Sequence, residues 1–213
     1  MIKINQTCKE SYKLGLKTVK LGIMMSLSSI SVLIVQFITK TYMVNNGGIE
    51  DVGLFQAGWA LNASYLGLVF TAMGKDYFPR LSQIASDNER IKLSVNQQAE
   101  IAILILAPLI IIMIVFMPFF IKILYSSEFL PIVQMTTFLL IGSIIKAGSW
   151  GISFVFLAKN DGRLYLFNEL GIRSITLPAY LLFYNWFGLV GIGYAFILIY
   201  IIYFLWISVV AYL

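Results

Sequence analysis

Long apolar runs separated by short polar stretches dominate the chain. Six runs are close to the ~20 residues that a helix needs to cross the hydrocarbon core of a bilayer. They cover residues 21–44, 52–74, 101–125, 132–158, 164–187 and 188–212. Because hydrocarbon offers no partners to backbone groups, such runs fold as helices, and the alternation of a membrane β-barrel is absent. The pattern predicts an all-α integral membrane protein of six transmembrane helices, here called spans one to six.

Two polar segments accompany the spans. Residues 1–20 form a basic flank with five lysines, and residues 75–100 form the longest polar stretch. Part of that stretch has apolar residues at helical spacing: Tyr77, Phe78, Leu81, Ile84 and Ala85. This spacing predicts a short amphipathic helix in the membrane interface, on the cytoplasmic side, with Pro79 in its first turn. Asp87 is predicted to mark the break before the helix that leads into span three.

Composition supports a membrane protein and removes several kinds of chemistry. Hydrophobic residues make up 60% of the 213 residues and charged residues 12%, whereas a soluble domain carries about 25% charged residues. There is no histidine, and Cys8 is the single cysteine. Metal centres and disulfides are therefore not expected. No cofactor is predicted.

The distribution of lysine and arginine predicts the orientation. Eleven of the fifteen basic residues lie in the N-terminal flank and in the loops after spans two and four. By the positive-inside rule, both termini face the cytoplasm. This placement accounts for the net charge of +5, so no nucleic-acid partner is inferred. Lys40 and Lys122 lie at span ends on the other side, and Lys146 and Arg173 lie inside spans.

Span four carries two different polar faces. Gly142, Lys146, Ser149 and Ser153 share one face because they are spaced by 4, 3 and 4 residues. The second face has small residues at every fourth position: Ser143, Ala147 and Gly151. Small residues allow another helix to approach closely. One face is therefore predicted to pack, and the other to line water or meet a partner.

Spans one and five repeat the polar stripe. Span five presents a stripe of five residues: Tyr165, Glu169, Arg173, Thr176 and Tyr180. Span one presents another: Gly22, Ser26, Ser29, Gln36 and Lys40. Polar faces on three spans are costly against lipid, which predicts that they surround a shared hydrated cavity.

Two interpretations of Lys146 and Arg173 remain open at this stage. In the functional one, both are cationic contacts for an anionic substrate within the membrane. In the structural one, Glu169 fully satisfies Arg173 at i, i+4 spacing, and Lys146 reaches the interface or a helix carbonyl.

Three stretches resemble a known family. They are "GIEDVGLFQAGWALNASYLGLVFTAMGKDYFPRLSQIA" from Gly48, "NQQAEIAILILAPLIIIMIVFMPFFIKILYSSEFLP" from Asn96, and "SWGISFVFLAKNDGRLYLFNEL" from Ser149. Together they resemble the second half of bacterial O-antigen and polysaccharide flippases, which belong to the multidrug, oligosaccharidyl-lipid and polysaccharide exporter superfamily. The resemblance runs from about residue 10 to the end of the chain.

The resemblance implies a fold, a substrate and a location. The fold is one six-helix half of a V-shaped, MATE-like bundle of twelve or more helices in the bacterial inner membrane. The substrate is an undecaprenyl-pyrophosphate-linked oligosaccharide, which is moved from the cytoplasmic to the periplasmic leaflet without enzymatic chemistry. The candidate substrate-binding residues are Lys146, Arg173, Glu169, Lys40, Gln36, Ser149, Tyr165 and Thr176.

The chain departs from this family in having six spans, about half the expected length. A fragment, a split gene, or association with an N-terminal half or a second copy would each explain it. Three other functions remain as alternatives: an ion-coupled multidrug exporter of the same superfamily, a membrane glycosyltransferase or polymerase acting on polyprenyl lipids, and a scaffolding subunit. The unpaired Lys146 fits poorly with cationic drugs, and the scattered acidic residues fit poorly with the enzyme.

Overall fold

The structure is a computed structural model that describes residues 8–212. It contains four α-helices and one short 3₁₀ turn, and no strand is found in this part of the chain. The helices are α1 (Cys8–Gln83), α2 (Asn88–Leu124), α3 (Ile132–Ala158) and α4 (Gly162–Tyr212), with the 3₁₀ turn (Ser127–Phe129) between α2 and α3. All four helices are long and apolar enough to cross a membrane. The prediction of an all-α membrane protein is therefore confirmed.

Two of the helices are interrupted at a glycine. The backbone leaves helical geometry inside α1 at Gly48 (φ 88°, ψ 176°) and inside α4 at Gly188 (φ 59°, ψ −144°). A positive φ combined with ψ values of this kind is adopted essentially only by glycine, because it has no Cβ. Each helix thus has two segments, residues 8–47 and 49–83 of α1, and residues 162–187 and 189–212 of α4.

The chain folds back at both glycines. Met25 lines a cavity together with Lys146, and Phe70 lies under the Lys146 ammonium, although a straight helix would separate Met25 from Phe70 by roughly 68 Å. In α4, a Cβ added to Gly191 would lie 2.0 Å from the carbonyl oxygen of Phe183. Residues eight apart in a straight helix are about 12 Å apart along the axis. Gly48 thus lies in the stretch 45–51 that was predicted to separate spans one and two, and Gly188 lies at the predicted junction of spans five and six.

Helix α3 contacts each of the other three helices and packs most extensively against α4. The predicted packing face of small residues is confirmed, since Ser143 donates a hydrogen bond to Asn62 at 3.1 Å and Gly151 accepts one from Tyr77 at 3.1 Å. On its other side, α3 approaches the second segment of α4 closely. A Cβ on Gly193 would lie 3.0 Å from the carbonyl oxygen of Met135. Close approach of this kind gains van der Waals packing, which drives helix association in lipid.

The polar stretch 75–100 differs from its prediction. Residues 75–83 continue α1, with Pro79 inside the helix, and α2 begins at Asn88. Tyr77 and Leu81 are fully buried and pack in one apolar cluster with residues of α2 and α3, so these apolar positions face protein rather than the membrane interface. Helical spacing identified the apolar face but not what covers it. The break at Asp87 is confirmed, because its carboxylate caps α2 by accepting the Arg90 amide at 3.1 Å.

Candidate functional site

A cavity of about 350 Å³ lies between the first segment of α1, α3 and both segments of α4. It is here called the interior cavity. Its lining residues are Met25, Lys146, Ser149, Trp150, Ser153, Phe154, Leu157, Tyr165, Glu169, Ile172, Arg173, Ile199, Tyr200 and Tyr203. The volume is within the range of small-molecule sites, and the lining combines aromatic rings with two cations and one carboxylate.

The polar faces predicted on spans four and five meet in this cavity. Lys146, Ser149 and Ser153 of α3 face Tyr165, Glu169 and Arg173 of α4 across it. They converge because the opposite face of α3 is occupied by close packing against α1. Ser149 is fully buried and donates its hydroxyl to the carbonyl oxygen of Lys146 at 3.0 Å. Its hydroxyl proton is therefore already bonded to the backbone of α3.

Glu169 and Arg173 form an ion pair at the cavity wall. A terminal guanidinium nitrogen of Arg173 lies 3.1 Å from Glu169 Oε2, and the two side chains are 23% and 12% exposed. The structural interpretation predicted this pair. The ion pair does not satisfy the whole guanidinium, because Arg173 Nε is buried and has no hydrogen-bond acceptor among the described residues.

The second carboxylate oxygen of Glu169 is held by a tyrosine. Tyr203 donates its hydroxyl to Glu169 Oε1 at 2.8 Å, and Ser153 Oγ lies 3.0 Å from the same hydroxyl. The chain of hydrogen bonds therefore joins α3 to both segments of α4. It fixes the carboxylate on two sides, as a buried charge requires.

Lys146 is held differently from Arg173. Its Nζ lies 5.3 Å from the centre of the Phe70 ring and 5.7 Å from that of Tyr200, which is cation–π geometry. No carboxylate partner and no helix carbonyl is found for this ammonium among the described residues. The rings lower the cost of burying the charge without neutralising it, and the cavity therefore carries a net charge of +1 from two cations and one carboxylate.

Three predicted site residues are not brought to the cavity. Gln36 and Lys40 are half-buried on the first segment of α1 but are absent from the lining. Thr176 is buried and donates its hydroxyl to the carbonyl oxygen of Ile172 at 2.8 Å. Helix α1 contributes only Met25 to the lining of the cavity. Gln36 and Lys40 lie further along α1 and therefore do not reach the cavity. Thr176 is satisfied within its own helix.

Sequence reasoning missed the tyrosines of the last segment. Tyr200 and Tyr203 are not among the predicted site residues, yet both line the interior cavity. A signal was available in the spacing of Phe196, Tyr203 and Ile207, which places them on one face. All three are at most 5% exposed, and a buried face carrying a tyrosine predicts a hydrogen-bond partner for its hydroxyl.

Comparison with known proteins identifies the family. A family model described as "Polysaccharide biosynthesis protein" matches residues 3–134, which is more than half of the chain. The chain belongs to this family. Neither a curated protein nor a solved structure matches it.

Within this polysaccharide biosynthesis protein, the family match and the interior cavity occupy different parts of the chain. The match includes α1, α2 and the start of α3, whereas Met25 is the one lining residue inside it. Among the described residues, no group of three cysteine, aspartate or glutamate side chains could hold a metal ion. The cavity offers one unneutralised ammonium, a partly used guanidinium and several aromatic rings, which are groups that can bind an anionic ligand.

Proposed function

We propose that this polysaccharide biosynthesis protein is a flippase, or one half of a flippase. It moves undecaprenyl-pyrophosphate-linked O-antigen or polysaccharide repeat units from the cytoplasmic to the periplasmic leaflet of the bacterial inner membrane. The observation that carries the proposal is Lys146, which lines the interior cavity with its positive charge held by ring faces and by no carboxylate among the described residues. An ammonium in a membrane span costs about 3 kcal/mol on insertion scales, and an anionic substrate explains why it is present.

The substrate's diphosphate would bind to the cations of the cavity. The Lys146 ammonium offers three donors, and the Arg173 side chain, which is 23% exposed, offers guanidinium N–H groups beyond the one bonded to Glu169. Charge-assisted hydrogen bonds to phosphate oxygens are stronger than neutral ones. The Glu169 carboxylate limits the net charge to +1, which keeps the interaction weak enough for release. Trp150, Phe154 and Tyr200 would contact the sugars.

The proposal requires the chain to cross the membrane six times. The fold-back at Gly48 and Gly188 divides α1 and α4 into two segments each, and together with α2 and α3 these make six segments of spanning length. The six segments would form one half of a MATE-like bundle, with a second six-helix half supplied by another copy or another chain. Movement would consist of one half rocking against the other around the bound substrate. No covalent chemistry is proposed.

The proposal is tested by removing the Lys146 charge in the native host. We expect Lys146→Gln to abolish surface polysaccharide while lipid-linked repeat units accumulate inside the cell, and Lys146→Arg to retain part of the activity. Lys122→Gln is the matched control, because Lys122 is an exposed lysine at the C-terminal end of α2, away from the cavity. Membrane abundance of each variant is measured by immunoblot. Normal surface polysaccharide in Lys146→Gln would refute the proposal.

A further inference from the structure

A second cavity of about 350 Å³ lies where the turn between α3 and α4 meets α1. It is here called the basic pocket. Its lining residues are Lys20, Leu21, Met24, Lys159, Asn160, Asp161, Gly162 and Arg163. None of these residues lines the interior cavity.

The turn that forms one wall of the basic pocket has a defined backbone. Asn160 adopts the left-handed conformation with φ 58°. Its amide bonds to the carbonyl oxygen of Leu157 at 3.0 Å, and the Asp161 amide bonds to that of Phe156 at 2.8 Å. This is the Schellman pattern of helix termination. Asp161 then caps α4 by accepting the Leu164 amide at 3.1 Å, so the backbone between Lys159 and Arg163 is held from both sides.

Helix α1 packs closely against this turn at Gly162. A Cβ on Gly162 would lie 2.7 Å from Met24 Sδ and 2.9 Å from Leu21 Cδ1. The contact places Lys20, one residue before Leu21, at the same opening as Lys159 and Arg163. Cations from distant parts of the chain therefore converge on one cavity.

The charges of the basic pocket are not neutralised internally. Three cations face one carboxylate, that of Asp161, which already caps α4. Lys159 donates to the neutral amide oxygen of Asn88 at 2.8 Å and keeps its charge. Among the described residues, Lys20 and Arg163 form no salt bridge. Like charges gathered around a cavity repel each other, and an anion would relieve this repulsion.

We propose that the basic pocket binds a phosphate group. Lys20, Lys159 and Arg163 can each donate a charge-assisted hydrogen bond to a phosphate oxygen. Leu21 and Met24 form an apolar wall beside these donors, which favours a phosphate carried by a lipid over a free phosphate ion. This binding does not depend on the function proposed for the interior cavity.

The test uses the purified protein in an uncharged detergent. Dihexanoyl phosphatidylglycerol is titrated by calorimetry, and inorganic phosphate is titrated in parallel at the same ionic strength. We expect Arg163→Gln and Lys20→Gln each to weaken phosphatidylglycerol binding by about tenfold, the loss expected for one charge-assisted hydrogen bond. Both side chains are exposed, so we expect both variants to fold. Lys75→Gln is the matched control, because Lys75 is an exposed lysine outside the pocket.

The outcomes separate the sources of the phosphate. Tight phosphatidylglycerol binding with weak inorganic phosphate binding, both dependent on Arg163 and Lys20, supports a lipid-borne phosphate. Equal binding of both probes with the same dependence supports a phosphate site that soluble ligands also fill. No binding of either probe, or losses no larger than in Lys75→Gln, overturns the proposal. Lys146→Gln is titrated as well, because the interior cavity also offers cations to a phosphate: binding that Lys146→Gln removes is assigned to that cavity, and binding that Arg163→Gln and Lys20→Gln remove is assigned to the basic pocket.

Discussion

Removing the hydroxyl of Tyr203 should destabilise the protein by about 2 kcal/mol. Tyr203 is 5% exposed, and its hydroxyl bonds to Glu169 at 2.8 Å and to Ser153 at 3.0 Å. Hydrogen bonds between membrane helices average about 0.6 kcal/mol and reach about 1.7 kcal/mol. We expect the hydrogen bond to the charged Glu169 to contribute a free energy at the upper end of this range, and the neutral bond to Ser153 to contribute a free energy near the average. Tyr203→Phe keeps the ring and its packing, so these two bonds are what it loses.

The free energy of unfolding can be measured by titrating dodecyl sulfate into mixed micelles of the purified protein. Tyr200→Phe is the matched control, since Tyr200 also lines the interior cavity and its hydroxyl forms no hydrogen bond among the described residues. We expect the control to change stability by less than about 0.5 kcal/mol. A double-mutant cycle of Tyr203→Phe with Glu169→Gln should show a coupling of at least about 0.5 kcal/mol. Equal losses in Tyr203→Phe and Tyr200→Phe, or no coupling, would refute the hydrogen-bond network.

Two further predictions concern the glycine fold-backs. Gly191→Ala should prevent normal folding and lower the yield in membranes several-fold, because its Cβ would lie 2.0 Å from a backbone carbonyl oxygen. Gly67→Ala, where nothing lies within 4 Å, should instead be neutral or stabilise α1 by up to about 1 kcal/mol, as measured by thermal unfolding in detergent. For the topology, we expect a membrane-impermeant maleimide added to whole cells to label Asn46→Cys but not Asn160→Cys, both in a Cys8→Ser background. Labelling of both positions from outside would contradict the six crossings and the cytoplasmic placement of the α3–α4 turn.

The candidate site was predictable in part from residue spacing. The stripes on spans four and five predicted the cavity positions of Lys146, Ser149 and Arg173, because spacing by three and four residues defines a helix face. Spacing does not define how a helix is rotated against its neighbours. The stripe on span one was therefore assigned to the same cavity, although Gln36 and Lys40 do not line it. Tyr203 was missed for the same reason, since its partner Glu169 lies on another segment.

The amino-acid sequence by itself determined the helical membrane class, because runs of about twenty apolar residues can satisfy their backbone hydrogen bonds in lipid only as helices. It also determined the packing face of α3, since small residues at every fourth position permit close approach. The tertiary structure alone decided which polar faces meet and that three cations converge at the α3–α4 turn. These features depend on contacts between residues far apart in the chain, and local periodicity carries no information about such contacts.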